Sequence, residues 1–316
     1  MQFRRVGRSG LLVSSIGLGT MTWGRDTDEH EAGQQLTAFL DAGGTLIDTA
    51  ATYGQGLAEE VVGALLRDVH RRDVVLSSKA GVRDLPGGPV VDSSRGTLLD
   101  TLDESLTRLG TDYLDLWLVQ APDLATDPAE TMSALRYAVS SGRARYVGLS
   151  NHPAWLSAYL AAGLREDGTG LAAVQVEHSL LNRGAEREML PAATGLGFGV
   201  LGWSPLGRGV LTGKYRRSVP ADSRAASAHL RGFVEPYLTE EAGRIVEALA
   251  TAADGLERSP AEVALAWARD TPGVASAITG ARTAAQLRAT LGAADLELPE
   301  PIREALADVS AATRNA

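Results

Sequence analysis

The 316-residue sequence predicts an α/β protein folded as a single (β/α)8 TIM barrel over residues 1–316, with an N-terminal β-hairpin. Three observations predict it. Eight short apolar runs alternate with longer segments whose apolar residues recur near the 3.6-residue period. Parallel strands need crossovers of a dozen or more residues, which that alternation supplies. Finally, Asp48, Lys79, Gln120, Ser150 with Asn151, Gln175, Ser204 and Gly280 each fall at or just past the end of a different run. A closed barrel brings such ends to one mouth, whereas an open sheet scatters them along an edge.

In chain order, residues 3–16 suit a hairpin turning across Gly7 to Gly10. The candidate strands are 16–19, 45–48, 74–78, 114–120, 146–149, 173–176, 199–203 and 275–279. Helical periodicity covers 31–42, 58–66, 94–109, 129–140, 154–163, 186–195, 240–268 and 284–291. Asp127 before Pro128 and Ser259 before Pro260 signal helix starts, and Gly43, Gly110 and Gly142 signal ends. In residues 114–120, Leu116 and Leu118 point inward, so the alternating Trp117 faces the helices. The long segment 216–236 reads as a mouth loop, mobile or ligand-covering.

Composition narrows function. Thirty Lys plus Arg against 39 Asp plus Glu give a net charge of −9, with no basic run longer than two residues. That excludes nucleic acid or an anionic membrane as the main partner. Without cysteine there is no disulfide, thiolate metal site or Cys nucleophile, and no metal site is expected. Arg4, Arg5 and Arg8 imitate a secretory signal, but Ser14, Ser15, Gly17 and Gly19 interrupt its apolar stretch. The charge-free run 189–207 holds two prolines and five glycines, wrong for a membrane helix. A cytoplasmic protein is expected; monomer and homo-oligomer stay open.

Gly197, Gly199 and Gly202 form a nominal G-x-G-x-x-G, yet these glycines precede and occupy a strand instead of opening a helix, so no dinucleotide fingerprint follows. Residues 207–214 imitate a phosphate loop with one residue too many and Tyr215 where Ser or Thr belongs. The stronger constellation is Asp48, Tyr53 and Lys79. Taken singly, these read as a helix cap, a loop aromatic and a snorkelling lysine. Together they put an acid, a phenol and an amine at adjacent strand ends, as proton delivery to a carbonyl oxygen requires. A neighbouring ammonium makes the phenol's proton easier to give, and the carboxylate holds that ammonium charged.

Here the chain resembles the aldo-keto reductase superfamily over nearly its whole length. The matching stretches are Gly17 to Thr20, Asp48 to Gly54, Lys79, Tyr113 to Asp115, Gly142 to Asn151, Gln175 with Glu177, Trp203 to Lys214, and Gly280 to Leu287. The resemblance implies an NADPH-binding barrel in which hydride passes from nicotinamide to a carbonyl carbon while Tyr53 protonates the oxygen. It implies that Ser150, Asn151 and Gln175 bond the carboxamide and that Trp203 stacks on the ring. Ser204, Leu206, Gly209 and Lys214 would cradle the pyrophosphate, Arg282 with Thr283 the adenosine 2′-phosphate, and Gln286 the adenine. Gly19, Thr20, Met21, Asp48, Pro205, Gly207 and Gly280 complete the implied cofactor residues. Trp23 and the loops after Lys79, Ala121 and Tyr215 would shape the pocket for a small carbonyl substrate.

Two positions depart from the family pattern. Gln120 stands where the fourth barrel strand usually ends in histidine; it can donate a hydrogen bond but cannot titrate. His152 follows the carboxamide-binding pair and is expected to face loop or core rather than replace that histidine. Thr290, beside Ala289, stands where an adenine-binding Asn is usual, which weakens the adenine contact. The leading expectation is NADPH-dependent reduction of an aldehyde or ketone. The alternatives are an enone or sugar-derived substrate favoured by Gln120, or a slow-turnover nucleotide-binding regulatory subunit, as in the family's potassium-channel β subunits.

Overall fold

The computed structural model describes residues 1–85, 87–166, 168–221 and 223–315. The chain opens with the antiparallel hairpin β1 (Phe3–Arg5) and β2 (Leu12–Ser14). It continues through β3 (Ile16–Gly19), α1 (Glu29–Asp41), β4 (Leu46–Asp48), α2 (Leu57–Leu65) and β5 (Val75–Ala80). A second hairpin, β6 (Val82–Leu85) with β7 (Gly88–Val91), precedes α3 (Arg95–Leu109) and β8 (Leu114–Val119). Then come α4 (Pro128–Ser140), β9 (Ala144–Ser150), α5 (Ala154–Arg165), β10 (Ala173–Glu177), α6 (Met189–Leu196) and β11 (Gly199–Trp203). After α7 (Arg231–Val234), α8 (Glu240–Gly255) and α9 (Pro260–Arg269), β12 (Val274–Thr279) is followed by α10 (Ala284–Leu291) and α11 (Glu300–Val309).

Strands β3, β4, β5, β8, β9, β10, β11 and β12 close into a parallel barrel in that order, so the expected barrel and hairpin are the fold found. Period-2 alternation builds two cores. Leu116 and Leu118 fill the barrel with Leu46, Leu201 and Ile278, and the hairpin's Val6, Leu11 and Val13 join them. Trp117, fully buried, faces outward among Leu98, Leu102 and Leu135 of the helical layer, as the alternation requires. The glycines of the misleading dinucleotide motif have structural duties. Gly197 ends α6 at φ 90°, and a Cβ on Gly199 would stand 2.5 Å from the Gly7 nitrogen, where the hairpin seats against the barrel.

The expected helix 240–268 is two helices. Glu257 takes φ 53° and stops α8, and Ser259 restarts the chain with a capping box to Glu262 and Pro260 in the first turn. Helix α6 begins at Met189 rather than 186, because Gly184–Glu186 close a separate 3₁₀ turn. The β6–β7 hairpin, α7 and α11 were not expected. No helix among the described residues is long and apolar enough to cross a membrane.

Candidate active site

Asp48 ends β4, Lys79 lies in the last turn of the pleat of β5, and Tyr53 follows Asp48 on the connection to α2. Register pairs Asp48 with Ser77, so Lys79 projects beyond it toward the mouth. Lys79 Nζ lies 2.6 Å from Asp48 Oδ2, donates to the Thr49 carbonyl at 2.8 Å, and stands 3.4 Å from the Tyr53 hydroxyl. Ser77 Oγ and Gln175 Nε2 donate to the other carboxylate oxygen at 3.1 and 2.8 Å. Asp48 and Lys79 are both buried, which is tolerable for charges because every polar contact is answered within the cluster. Just past Tyr53, Gly54, Gln55 and Gly56 all have positive φ, and fully buried Glu59 ties α2 to Ser78 and Arg108. That linkage joins the turn carrying Tyr53 to the strand carrying Lys79.

The electrostatics correct one expectation. Burial raises the Tyr53 phenol, Lys79 pulls it down, and Asp48 raises it again, with a net upward shift. Lys79 therefore acts in the expected direction but is outweighed by desolvation, leaving a neutral phenol that retains its proton. Burial alone would lower Lys79; Asp48 and Tyr53 outweigh it, and the ammonium is raised.

Gln120 follows β8 at the same mouth. Its amide faces the Thr52 hydroxyl, 2.9 Å from Nε2 and 3.2 Å from Oε1. Asn151, at φ 59°, donates through Nδ2 to the Gln120 carbonyl and to Ser150 Oγ, both at 3.1 Å, and accepts from Trp203 Nε1 at 3.0 Å. His152 is buried, with Nδ1 2.8 Å from the Ser150 carbonyl, and lies outside the mouth lining. Trp23 corrects another expectation: it is fully buried in the helical core, its indole N–H 3.2 Å from Gln35 Oε1, and is not among the residues lining the mouth cavity. An indole whose N–H finds an internal acceptor has no need of the cleft.

A cavity of about 460 Å³ runs from this cluster across the mouth. Asp48, Tyr53, Lys79 and Gln120 line it, as do Gly19, Met21, Ser150, Asn151, Gln175, Trp203, Ser204, Pro205, Leu206, Gly209, Lys214, Gly280, Arg282 and Gln286. Thr20, Gly207 and Thr283 do not. Thr20 is buried with its hydroxyl on the Asp48 carbonyl, and Gly207 packs against Leu181. Thr283 caps α10 by accepting the Gln286 N–H. Thr290 reaches the cavity, but its hydroxyl donates to its own helix at Leu287. Of the three loops expected to shape the pocket, the one after Tyr215 supplies Arg224 and Phe233. The loops after Lys79 and Ala121 supply none of the described lining.

Sequence reasoning missed Arg208, Arg224 and Phe233. Arg208, inside the matched Trp203 to Lys214 stretch, forms a bidentate pair with Glu177 at 2.9 and 2.7 Å and donates to the Phe233 carbonyl at 2.7 Å. Its guanidinium lies 4.2 Å from the Phe233 ring, which stacks on Trp203 at 6.5 Å and 16°. At the far end, burial lowers the Arg224 guanidinium and nearby Arg282 lowers it further. Neither arginine's side chain hydrogen-bonds a carboxylate among the described residues.

The Aldo/keto reductase family profile matches residues 15–309. This chain belongs to the aldo/keto reductase family. Among relatives of this reductase family, an L-glyceraldehyde 3-phosphate reductase of Escherichia coli (strain K12) is 35% identical, over 91% of this chain and 86% of its own. The uncharacterized oxidoreductase YrpG of Bacillus subtilis (strain 168) is 36% identical, over 98% and 96%. A probable voltage-gated potassium channel subunit beta of Arabidopsis thaliana is 35% identical, over 94% and 92%.

Proposed function

We propose that this family member is an NADPH-dependent oxidoreductase that reduces an aldehyde or ketone to an alcohol, with Tyr53 as proton donor. The observation that carries the reading is that the Asp48–Lys79–Tyr53 cluster opens into one cavity whose other end holds two neighbouring arginines, neither hydrogen-bonded through its side chain to a carboxylate among the described residues. The donor set fits an extended dinucleotide. Ser150, Asn151 and Gln175 supply neutral partners for a carboxamide, Trp203 a flat face, and Arg224 with Arg282 a site for a phosphate dianion. When bound, the dinucleotide would supply the hydride for the carbonyl carbon.

The chain's own part is the proton and the geometry. Burial keeps Tyr53 neutral, so its O–H is present to be given to a carbonyl oxygen at the mouth. As the proton leaves, the ammonium 3.4 Å away stabilises the phenolate, and Asp48 keeps that ammonium charged. Gln120 offers an amide N–H at the same mouth without a proton to transfer. Trp203 and Phe233, one stacked on the other, narrow the access of water.

The relative named for L-glyceraldehyde 3-phosphate supports a carbonyl substrate; those named as channel subunits support a second reading, a nucleotide-binding regulatory subunit. Single-turnover measurements with NADPH-loaded protein and a panel of aldehydes, ketones and enones separate the two. We expect oxidation of bound NADPH by aldehydes, abolished in Tyr53→Phe while NADPH binding stays nearly intact. Binding with no substrate-dependent oxidation would favour the regulatory reading, and equal rates for both proteins would remove Tyr53 as the acid.

A further inference from the structure

The arginine end of the cavity faces the acidic entry to α1. Asp28 accepts the Glu31 N–H and so caps α1 in the ordinary way. Asp26 is paired with Arg25 and His229, and its charge also reaches Arg224. Glu31 does something else. Its carboxylate leaves its own helix and accepts the backbone N–H of Ala284, the first residue of α10, 253 positions away. Ala284 stands two residues beyond Arg282, whose side chain lines the cavity. A fixed negative charge thus occupies the positive end of α10, two residues along the chain from Arg282, where an anion would otherwise gain from the same helix terminus.

We propose that Glu31 is a specificity-determining residue that works against the phosphorylated dinucleotide, holding down the preference for NADPH over NADH that Arg224 and Arg282 set. The inference rests on the reading above, in which the adenosine end of a dinucleotide lies at Arg282. The physical basis is differential charge. A 2′-phosphate near Arg282 is repelled by the Glu31 carboxylate, whereas the hydroxyl of NADH carries no charge to repel. The carboxylate costs the protein nothing as a cap, because it satisfies a donor that the first turn of α10 leaves open.

Equilibrium titration of the full chain with NADPH and with NADH, by quenching of intrinsic fluorescence, tests this without turnover. Glu31→Gln keeps an oxygen for the Ala284 N–H and removes only the charge. We expect it to tighten NADPH on the order of threefold to tenfold, with NADH unchanged, and the gain to shrink as salt is raised. Glu31→Ala also removes the cap; NADPH should still gain relative to NADH, so a fold defect in one variant leaves the other to decide. Equal effects on the two dinucleotides, or none, overturn the proposal. Binding of neither dinucleotide by the unaltered protein would instead overturn the cavity's assignment, and the proposal with it.

Discussion

The two ends of the cavity are built on opposite principles. At the Tyr53 end, Asp48 takes hydrogen bonds from Lys79, Ser77 and Gln175, and Gln120, Thr52, Asn151 and Trp203 bond one another in series. Charges there are buried and internally matched, so a single side chain is held by several neighbours. At the Arg282 end, two guanidiniums lie close enough for one to lower the other, with a carboxylate capping the adjacent helix. The charges there act through space, Arg282 lowering the Arg224 guanidinium and Asp26 raising it. Matched hydrogen bonds give fixed geometry, which chemistry on one atom needs; opposed charges give an affinity that one substitution can tune.

The largest expected break of this contrast is at Gln120. Its amide lines the cavity while bonded to Thr52, so it is positioned by the series as well as open to the cavity. Gln120→Ala should lower the single-turnover rate on the order of 10- to 10³-fold, the range set by loss of an oxyanion donor. Gln120→His should raise simple aldehyde reduction and add a titration near neutral pH, because imidazole ionises there. Unchanged rates, substrate profile and pH dependence in both variants would mean that Gln120 takes no part.

A smaller effect belongs to the arginine end. Arg282→Ala should weaken NADPH roughly tenfold to a hundredfold, the worth of a charge-assisted hydrogen bond, and leave NADH within about threefold. Arg224→Ala should follow the same pattern, and the losses should not add, since the two guanidiniums repel each other in the free protein. Equal loss of both dinucleotides would detach these arginines from the 2′-phosphate.

The difference between the ends also explains what could be read from the sequence. Asp48, Lys79, Gln120, Ser150 and Gln175 were legible because strand periodicity fixes where a strand ends, and a barrel gathers those ends whatever joins them. Arg224 and Phe233 come from the loop after Tyr215, where no period assigns a direction. Arg208 sat in a recognised stretch, but its partner Glu177 is 31 positions back and nothing local announces the pair. Glu31 lies in the first turn of α1, and only the packing of α1 on α10 brings its carboxylate to the Ala284 N–H. Trp23 erred in the reverse sense, since its neighbours in sequence are mouth residues while Gln35 draws it into the core. The break before Ser259 was signalled by Ser-Pro, yet apolar periodicity on both sides hid it, because α8 and α9 each present a buried face.

The last expected effect concerns pH and sharpens the contrast from behind the Tyr53 end. Burial pulls His152 down to about 4, partly opposed by the Ser150 carbonyl. His178 is also pulled down to about 4, by burial first, with Glu186 opposing and Arg183 reinforcing. Gln120 cannot titrate, so with saturating NADH the single-turnover rate should be flat between about pH 6.5 and 8. Stability should not be flat below that window. Both imidazoles are neutral in the fold but take up protons near their ordinary 6.5 once the chain unfolds. Between 6.5 and about 4 the unfolded chain therefore binds more protons, and stability rises with pH. The contribution is fully present above 6.5 and is lost as pH falls toward 4, on the order of 3 kcal/mol for each histidine. Thermal melting across this range should show that slope, reduced in His178→Phe and reduced again when His152→Gln is added. A double variant with the slope of the unaltered protein would mean that other groups carry the acid sensitivity and that neither imidazole is held neutral.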